Sequence, residues 1–167
     1  MSRITERCHG ETEKQRSGVS EEERMIFDMP YDDEEPAIGW KPDAELNELS
    51  GKVIGAAIEV HKGLGAGLDE SSYENALALE FSLRGIEFQR QVWIDVEYKG
   101  EIVRRRRIDF IIVGRLIAEV KAVQELIPLF SAQVYTYLKL TNLPLGLLIN
   151  FDVQYLKDGL KRVIRPT

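Results

Sequence analysis

Residues 101–122 read EIVRRRRIDFIIVGRLIAEVKA, and this stretch says more about the fold than any other part of the chain. Gly114 and the arginine after it mark a tight turn between two largely apolar runs. The runs are rich in Ile and Val, which favours strands over about residues 101–113 and 116–122. Strands joined by so short a turn pair antiparallel. The stretch therefore predicts a β-hairpin whose apolar surface is interrupted by a few ionisable side chains.

Three ionisable residues of this hairpin are candidate catalytic residues: Asp109, Glu119 and Lys121. Glu119 and Lys121 are two positions apart on one strand, so their side chains point to the same face. Antiparallel pairing can bring Asp109 beside Glu119. Two converging carboxylates repel each other unless a cation joins them, and oxygen ligands suit Mg²⁺ or Mn²⁺. The carbonyl of Val120 can add a ligand, and Lys121 can orient or deprotonate a water or stabilise a phosphoryl charge.

The same triplet also has a plain structural interpretation. Glu-x-Lys occurs often by chance, and an ion pair on an edge strand has the same sequence. Here the triplet lies between Ala118 and Ala122 in a largely apolar strand, where buried Glu and Lys are rare without a reason. The context therefore favours the catalytic interpretation.

The chain before the hairpin predicts two helices and a strand. Ser50 is expected to cap the first helix, and Ser71, with Glu74 three residues later, to begin the second in a capping box. Residues 88–98 alternate apolar and polar side chains, which is typical of a strand. Lys99-Gly100 then reads as the turn that joins this strand to the hairpin.

The chain after the hairpin predicts a helix from Pro128 to about Leu140, a buried strand over Leu145–Asn150 and a last amphipathic helix over Gln154–Ile164. The full order is helix, helix, three strands, helix, strand, helix. Three antiparallel strands followed by a crossover helix and another strand make an α/β domain, a mixed β-sheet flanked by helices.

A further motif, Gly67-Leu68-Asp69-Glu70-Ser71-Ser72-Tyr73, supports a family resemblance together with residues 54–61, residues 145–151, Asp109 and Glu119-Val120-Lys121. From about residue 46 to 165 the chain resembles the GxxExxY proteins, a bacterial and archaeal group assigned to the PD-(D/E)XK nuclease superfamily. The resemblance implies a restriction-endonuclease-like αβββαβ core, here with an added N-terminal helix. It also implies that the aspartate and the Glu-x-Lys triplet hold a divalent metal and activate water for phosphodiester cleavage. Ile108 stands where the superfamily usually has proline.

Glu70 is a further candidate metal ligand, because in that superfamily a helix before the sheet often adds an acidic ligand. The alternative is that Glu70 is a helix N-terminal carboxylate favoured by the helix dipole. Glu59 and His61 compete for the same role, although a glutamate on a helix face more often points to solvent. Tyr73 is expected to pack in the core with its hydroxyl satisfied.

Three residues are candidates for contact with nucleic acid: Arg107, Gln133 and Tyr137. Gln133 and Tyr137 are four apart on a predicted helix, so they share a face. The pair resembles a motif of exonuclease-like branches of the superfamily, and the alternative is a helix with one polar and one core residue. Gln133 falls on the otherwise apolar stripe of Leu129, Tyr137 and Leu140, which favours the functional interpretation. Arg107 can contact a phosphate or neutralise Asp109, while the neighbouring arginines at 104 and 106 are expected in solvent.

Charge is unevenly distributed along the chain. Residues 1–44 contain 6 Lys/Arg and 12 Asp/Glu, whereas residues 45–167 contain 16 of each. We expect residues 1–44 to be an acidic, disordered extension and residues 45–167 to be the nuclease-like domain. A formally neutral domain is not a uniformly basic duplex binder, but it can bind nucleic acid where its cations cluster.

Cellular location and function follow from these features as expectations. The lone Cys8 forms no intrachain disulfide, and no stretch reaches the length of a membrane span, so we expect a soluble cytoplasmic protein without membrane association. The leading function is a metal-dependent nuclease that uses Mg²⁺ or Mn²⁺ to hydrolyse DNA or RNA. One alternative is an inactive nuclease-fold module that binds nucleic acid or a protein partner. Another is a purely structural protein in which the acidic extension is the working part.

Overall fold

A computed structural model describes residues 42–165 of the chain. The prediction of a disordered acidic extension falls almost wholly on residues outside this range. No helix among the described residues is long and apolar enough to cross a membrane. The elements follow in the order α1 (Ala44–Leu64), α2 (Glu70–Leu83), β1 (Phe88–Tyr98), β2 (Glu101–Ile112), β3 (Leu116–Lys121), α3 (Pro128–Thr141), β4 (Leu145–Asn150), a 3-10 helix (Leu156–Gly159) and β5 (Leu160–Ile164).

The five strands form one mixed sheet in the order β1-β2-β3-β4-β5. β3 and β4 are parallel, and the other neighbouring strands are antiparallel. Parallel neighbours need a crossover connection, and α3 supplies it between β3 and β4. The predicted α/β fold, a mixed sheet with flanking helices consistent with a restriction-endonuclease-like core, is confirmed.

The sheet separates two clusters of buried apolar side chains. Ala118 and Val120 of β3 belong to the larger cluster, which includes residues of α1 and α2. Ile117 belongs to the smaller cluster, which includes residues of α3. Because side chains alternate along a strand, Glu119 and Lys121 follow Ile117 on the α3 side of β3. Period two thus places both ionisable residues of the triplet on one face, as the sequence predicts.

The predicted start of the first helix is wrong. α1 begins at Ala44, and the side chain of Asp43 caps it by accepting a hydrogen bond from the Leu46 amide at 2.8 Å. Ser50 is fully buried inside the helix, where its hydroxyl donates to the Asn47 carbonyl at 2.9 Å. The helix extends further toward the N-terminus because buried Leu46 adds an apolar contact that the predicted start leaves out.

The predicted capping box at Ser71 and Glu74 is also wrong. α2 begins at Glu70, and Asp69 caps it by accepting from the Ser72 amide at 2.7 Å. Glu74 points instead toward the sheet, where it accepts a hydrogen bond from Arg90 at 2.6 Å and another from Gln91. Asp69 is a strong capping residue and stands two residues before Ser71, so Glu74 is not needed at the helix end.

The predicted last helix over Gln154–Ile164 is wrong as well. Residues 156–159 form a short 3-10 helix, and residues 160–164 form β5, which pairs antiparallel with β4. Leu160 and Ile164 pack on the larger apolar cluster and Val163 on the smaller one, which is the alternation of a strand between two layers. The edge of β4 offers unpaired backbone groups, and this long-range pairing outweighs the local helical pattern.

We expect Gly159→Ala to destabilise the fold strongly. A Cβ at Gly159 would lie 2.2 Å from the Asn150 carbonyl oxygen, which belongs to the backbone and cannot rotate away. Forcing such a contact costs about 1–3 kcal/mol or more. The measurement is urea unfolding followed by circular dichroism. Gly63→Ala is the matched control, because no atom lies within 4 Å of its added Cβ, and it should leave the free energy of unfolding unchanged or raised.

Candidate active site

The site begins where β2 separates from β3. The two strands pair only over Phe110–Ile112 and Leu116–Ala118. Beyond this point the Asp109 Oδ2 atom accepts a hydrogen bond from the Val120 amide at 2.9 Å, so a side chain occupies the place of a strand partner. Ile108 packs in the α3-side cluster and Phe110 in the α1/α2-side cluster, which shows that β2 turns at Asp109. The aspartate therefore lies beside β3 because the ladder opens there.

β1 has a matching irregularity opposite Asp109. Gln91 has a positive φ of 56°, a conformation that is uncommon for any residue with a side chain. The regular pairing of β1 with β2 holds at Arg90 and Val92 and passes over Gln91. Arg90 and Gln91 both donate to the Glu74 carboxylate. The strained turn of β1 thus directs a glutamine side chain to α2, and this contact joins the helix to the opened part of the sheet.

Glu119 and Lys121 form a buried ion pair next to Asp109. The exposed fractions of Asp109, Glu119 and Lys121 are 7%, 3% and 8%. The Lys121 ammonium donates to Glu119 Oε1 at 2.9 Å and to the Val120 carbonyl at 3.0 Å. It also lies 3.6 Å from a carboxylate oxygen of Glu70 and 5.8 Å from the centre of the Phe130 ring. The Lys121 ammonium therefore contacts two carboxylates and one backbone carbonyl.

Burial changes the protonation of both carboxylates. Loss of water raises the pKa of Glu119 to about 7, and the nearby charge of Asp109 adds to this rise against the opposing effect of Lys121. Loss of water also raises the pKa of Asp109, although the Val120 amide and Lys121 oppose the change. Burial by itself lowers the pKa of Lys121, but the charge of Glu119 and their hydrogen bond outweigh it, so that pKa is raised. Lys121 is thus a cation, and Glu119 is poised between its two forms near neutral pH.

The donors present fit a hard divalent cation. Among residues 42–165, no group of three or more His, Cys, Asp and Glu side chains is already arranged as a metal site. The donor chemistry is nevertheless all oxygen, with Asp109, Glu119 and the Val120 carbonyl adjacent and Glu70 near Lys121. The Glu119 Oε2 atom is buried and has no hydrogen-bond partner among the described residues. A buried carboxylate oxygen without a partner is costly, and a cation would satisfy it.

The Gly-x-x-Glu-x-x-Tyr motif shapes the turn that presents Glu70. Tyr73 is fully buried, as predicted, and its hydroxyl donates to the Gly65 carbonyl at 2.7 Å and accepts from the Leu68 amide at 3.1 Å. Its ring stacks on Phe151 with centroids 4.5 Å apart. Gly67 has a φ of 98°, which a residue with a side chain rarely adopts. The motif holds the loop so that Glu70 begins α2 beside Lys121. Glu70 is thus a carboxylate at a helix N-terminus, as the alternative interpretation has it, and its role as a metal ligand stays a prediction.

Gln133 and Tyr137 share a face of α3, as predicted, and Gln133 donates to the Tyr137 hydroxyl at 2.5 Å. The predicted stripe is wrong in its other members, because Leu129 and Leu140 are exposed while Val134 and Leu138 are buried with Tyr137. Burial raises the pKa of Tyr137, and the charge of Glu119 adds to the rise. The pair therefore borders the carboxylates from the α3 side.

Arg107 does not occupy the predicted place beside Asp109. Its guanidinium lies 5.9 Å from the centre of the exposed Trp93 ring. The cation that acts on the Asp109 carboxylate is Lys121. The prediction that Arg107 neutralises Asp109 is therefore wrong, since Lys121 fills that role, and the prediction of a phosphate contact stays open. Arg106 is exposed as predicted, and its charge reaches Tyr137.

The two competing candidates, Glu59 and His61, both lie on α1. Glu59 is exposed on α1, as the sequence favours for a glutamate on a helix face. His61 Nε2 is 2.9 Å from the Val153 carbonyl, and its ring lies 6.4 Å from the Phe151 ring. Glu59 thus faces solvent, and His61 contacts the segment that follows β4.

Sequence reasoning missed two buried polar residues near the site. Glu74 adds to the rise in the pKa of Asp109, and its spacing from Leu77 and Phe81 on the buried face of α2 was the available signal. Asn150 ends β4, and its side-chain amide donates to the Val123 carbonyl at 2.7 Å while its oxygen accepts from the Val123 amide at 3.0 Å. These two hydrogen bonds fix the chain directly after the Glu-x-Lys triplet. An asparagine closing an apolar strand was its only sequence signal.

The fold and the site together define a nuclease-like α/β domain with an Asp, Glu-x-Lys centre. A family model for the PD-(D/E)XK nuclease superfamily matches residues 47–163, and the chain belongs to that superfamily. Membership indicates a nuclease-type function, and nucleases of this superfamily are generally dependent on a divalent metal. No curated protein and no solved structure matches the chain.

Proposed function

We propose that this domain is a divalent-metal-dependent nuclease that hydrolyses phosphodiester bonds in DNA or RNA. The observation that carries the proposal is the buried group of Asp109, Glu119 and Lys121, in which one oxygen of Glu119 lacks a partner among the described residues. Such a group is costly for folding alone, which favours a functional reason for it. The finer resemblance to the GxxExxY proteins is part of the same proposal.

Asp109, Glu119, the Val120 carbonyl and Glu70 would hold the metal, either Mg²⁺ or Mn²⁺. A bound divalent cation offsets the negative charge that builds on the phosphate during attack. The Asp109 carboxylate is already oriented by the Val120 amide, so it needs little rearrangement to serve as a ligand. Glu119 would bind the cation through Oε2, its unpartnered oxygen, and keep its contact with Lys121 through Oε1.

Lys121 would then orient the attacking water or stabilise the phosphoryl charge. Its ammonium is held by Glu119, Glu70 and the Val120 carbonyl, and its raised pKa keeps it protonated at neutral pH. A fixed cation next to the reacting phosphate stabilises the transition state more than the ground state. We assign Arg107, Gln133 and Tyr137 to contact with nucleic acid, because the last two border Glu119 and Arg107 is exposed.

The test is a cleavage panel with the purified full chain. Labelled single-stranded DNA, duplex DNA, branched DNA and single-stranded RNA are incubated with Mg²⁺, Mn²⁺, Ca²⁺ or EDTA, and products are resolved on gels. We expect cleavage of at least one substrate with Mg²⁺ or Mn²⁺ and none with EDTA. Ca²⁺ is larger and geometrically looser, so it should bind without supporting turnover.

We also expect divalent cations to raise the melting temperature of the protein. A ligand that binds only the native state stabilises it by about 2.7 kcal/mol at a concentration one hundred times its Kd. Thermal shift with Mg²⁺, Mn²⁺ and Ca²⁺ measures this, and Na⁺ at matched ionic strength is the control. A wild-type protein that binds no divalent ion and cuts nothing would instead be the inactive nuclease-fold module.

A further inference from the structure

The hairpin formed by β1 and β2 extends beyond the rest of the sheet. β3 pairs with β2 only as far as Phe110, whereas the pairing of β1 with β2 continues to Tyr98 and Glu101. We call residues 92–108 the arm. The arm ends directly before Asp109 of the candidate active site.

One face of the arm packs on the domain and the other is open. Ile94 and Ile108 pack against the apolar cluster on the α3 side. Trp93 lies opposite Arg107 across the ladder, and neighbours on a strand face opposite ways, so both point away from that cluster. The Trp93 side chain is 63% exposed, and a tryptophan so exposed on a sheet face has no role in the fold's core.

Charge on the arm is opposite in sign to that of the whole chain. The arm carries five cations, Lys99 and the four arginines at 104–107, against three acids, while the whole chain has a net charge of −6. Arg105 pairs with Asp95 at 2.9 Å, and Arg107 lies over the Trp93 ring. The arm is thus a local basic surface on a formally neutral domain, and it has an exposed aromatic ring near its base.

We propose that the open face of the arm binds single-stranded nucleic acid, with a base stacked on Trp93 and phosphates held by Arg107 and by Arg105 on the same face. An exposed aromatic ring between cations is how proteins bind unpaired bases without reading sequence. Bases in a duplex are already stacked and present no free face to a ring. Arg107, the cross-strand partner of Trp93, precedes Asp109 by two residues. The inference rests on the proposed function only for the use of this strand as substrate.

The binding test uses the only two tryptophans of the chain, Trp40 and Trp93. In a Trp40→Phe background all tryptophan emission comes from Trp93. Oligodeoxythymidylate or oligouridylate is added in EDTA, which prevents cleavage. We expect saturable quenching of the emission by one or both oligonucleotides, because a stacked base quenches the ring. An unchanged emission at saturation with both would overturn the proposal.

Variants then separate stacking from charge. In fluorescence anisotropy with labelled oligonucleotide, Trp93→Ala should weaken binding about 5- to 150-fold, because stacking contributes about 1–3 kcal/mol per base. Trp93→Phe retains an aromatic face, and its affinity should lie between those of the wild type and Trp93→Ala. Arg107→Ala should weaken binding and reduce its salt dependence. Arg84→Ala is the matched control, since Arg84 pairs with Glu80 on α2 and lies outside the arm.

Two ligands complete the test. An abasic strand of the same length should bind the wild type about as weakly as the normal strand binds Trp93→Ala. A duplex of the same sequence should bind more weakly than the single strand. Tighter binding of the duplex, or equal binding by Trp93→Ala and the wild type, would overturn the proposal. A thermal melt of each variant confirms folding, and Trp93→Phe gives an answer even where Trp93→Ala does not fold.

The outcomes keep this inference apart from the proposed nuclease. Binding through Trp93 without metal-dependent cleavage would support the proposed binding face and contradict the proposed nuclease function. Metal-dependent cleavage could instead be unchanged by Trp93→Ala while the emission of Trp93 shows no quenching. That result would support the nuclease function and contradict the proposed binding face.

Discussion

Asp109→Asn and Glu119→Gln should each reduce metal-dependent cleavage by about a thousandfold. A metal contributes several kcal/mol of transition-state stabilisation, and each 1.36 kcal/mol corresponds to a factor of ten in rate. Both substitutions preserve size and remove one ligand charge. The measurement is single-turnover cleavage of the best substrate at saturating Mg²⁺, with metal affinity determined separately by calorimetry. The two variants should show weaker metal binding as well as slower cleavage.

Lys121→Ala should separate metal binding from cleavage. We expect about a hundredfold to a thousandfold slower cleavage, comparable with the loss of one preorganised charge donor, while metal binding remains. Its ammonium is not a metal ligand, and its removal leaves Asp109 and Glu119 in place. Lys121→Arg tests position, because a longer planar cation cannot make the same contacts in the same space.

Glu59→Gln is the matched control for the glutamate substitution. Glu59 is exposed on α1 and should be replaceable without change in cleavage. Full activity of Glu119→Gln would show that the site has been misplaced. Loss of activity in Glu59→Gln would point to the helix carboxylate that the structure leaves in solvent.

Metal affinity should fall about a hundredfold between pH 7 and pH 5, tenfold per unit for one released proton. The reason is the pKa of Glu119, which burial and the charge of Asp109 raise to about 7. A metal must displace that proton below pH 7, whereas above pH 7 the carboxylate is already ionised and affinity levels off. Calorimetric titration of Mn²⁺ at pH 5, 6, 7 and 8 measures the dependence. Glu119→Gln should bind more weakly and lose most of the slope.

The stability of the metal-free protein should change with pH in the opposite direction. Between pH 4.5, the ordinary value for a glutamate, and about 7, the folded state holds the Glu119 proton and the unfolded state does not. The folded state binds more protons, so the free energy of unfolding falls as pH rises through this window, by up to about 3 kcal/mol. Asp109 acts in the same sense, because its pKa is also raised. Melts in EDTA across pH 5–8 measure this.

Saturating Mg²⁺ should reverse that trend, since the metal stabilises the ionised carboxylates. Asp109→Asn should flatten the dependence of metal-free stability on pH and raise that stability at pH 8. It removes the negative charge that repels the ionised Glu119 carboxylate. A metal-free melting temperature that rises steadily from pH 5 to pH 8 would contradict the raised pKa of Glu119 and the burial on which it depends.

Local sequence patterns determined the hairpin of β2 and β3 and the face on which Glu119 and Lys121 lie. Period-two alternation placed Glu119 and Lys121 on one face, since side chains on a strand alternate whatever surrounds them. The turn at Gly114 and the apolar runs on both sides predicted β2 and β3 within a residue or two. The crossover helix between β3 and β4 predicted a mixed sheet, because parallel neighbours require such a connection.

Only the tertiary structure decided the features that depend on distant partners. Residues 160–164 carry a helical pattern, yet they form β5 because the edge of β4, ten or more residues away, supplies backbone partners. Glu74 has a capping-box spacing, yet it turns to Arg90 and Gln91 on β1. Local patterns record the preferences of neighbouring residues, and these preferences are weaker than the pairing and burial that the folded chain provides.

The chemistry of the site shows the same division. The sequence by itself determined which residues carry charge and that three of them interrupt apolar strands. The tertiary structure decided that β2 opens at Asp109, that Lys121 rather than Arg107 lies near its carboxylate, and that Glu119 is left with an unpartnered oxygen among the described residues. The physical reason is that a pKa and a ligand geometry depend on burial and on the directions of side chains from separate elements, which no single stretch of sequence contains.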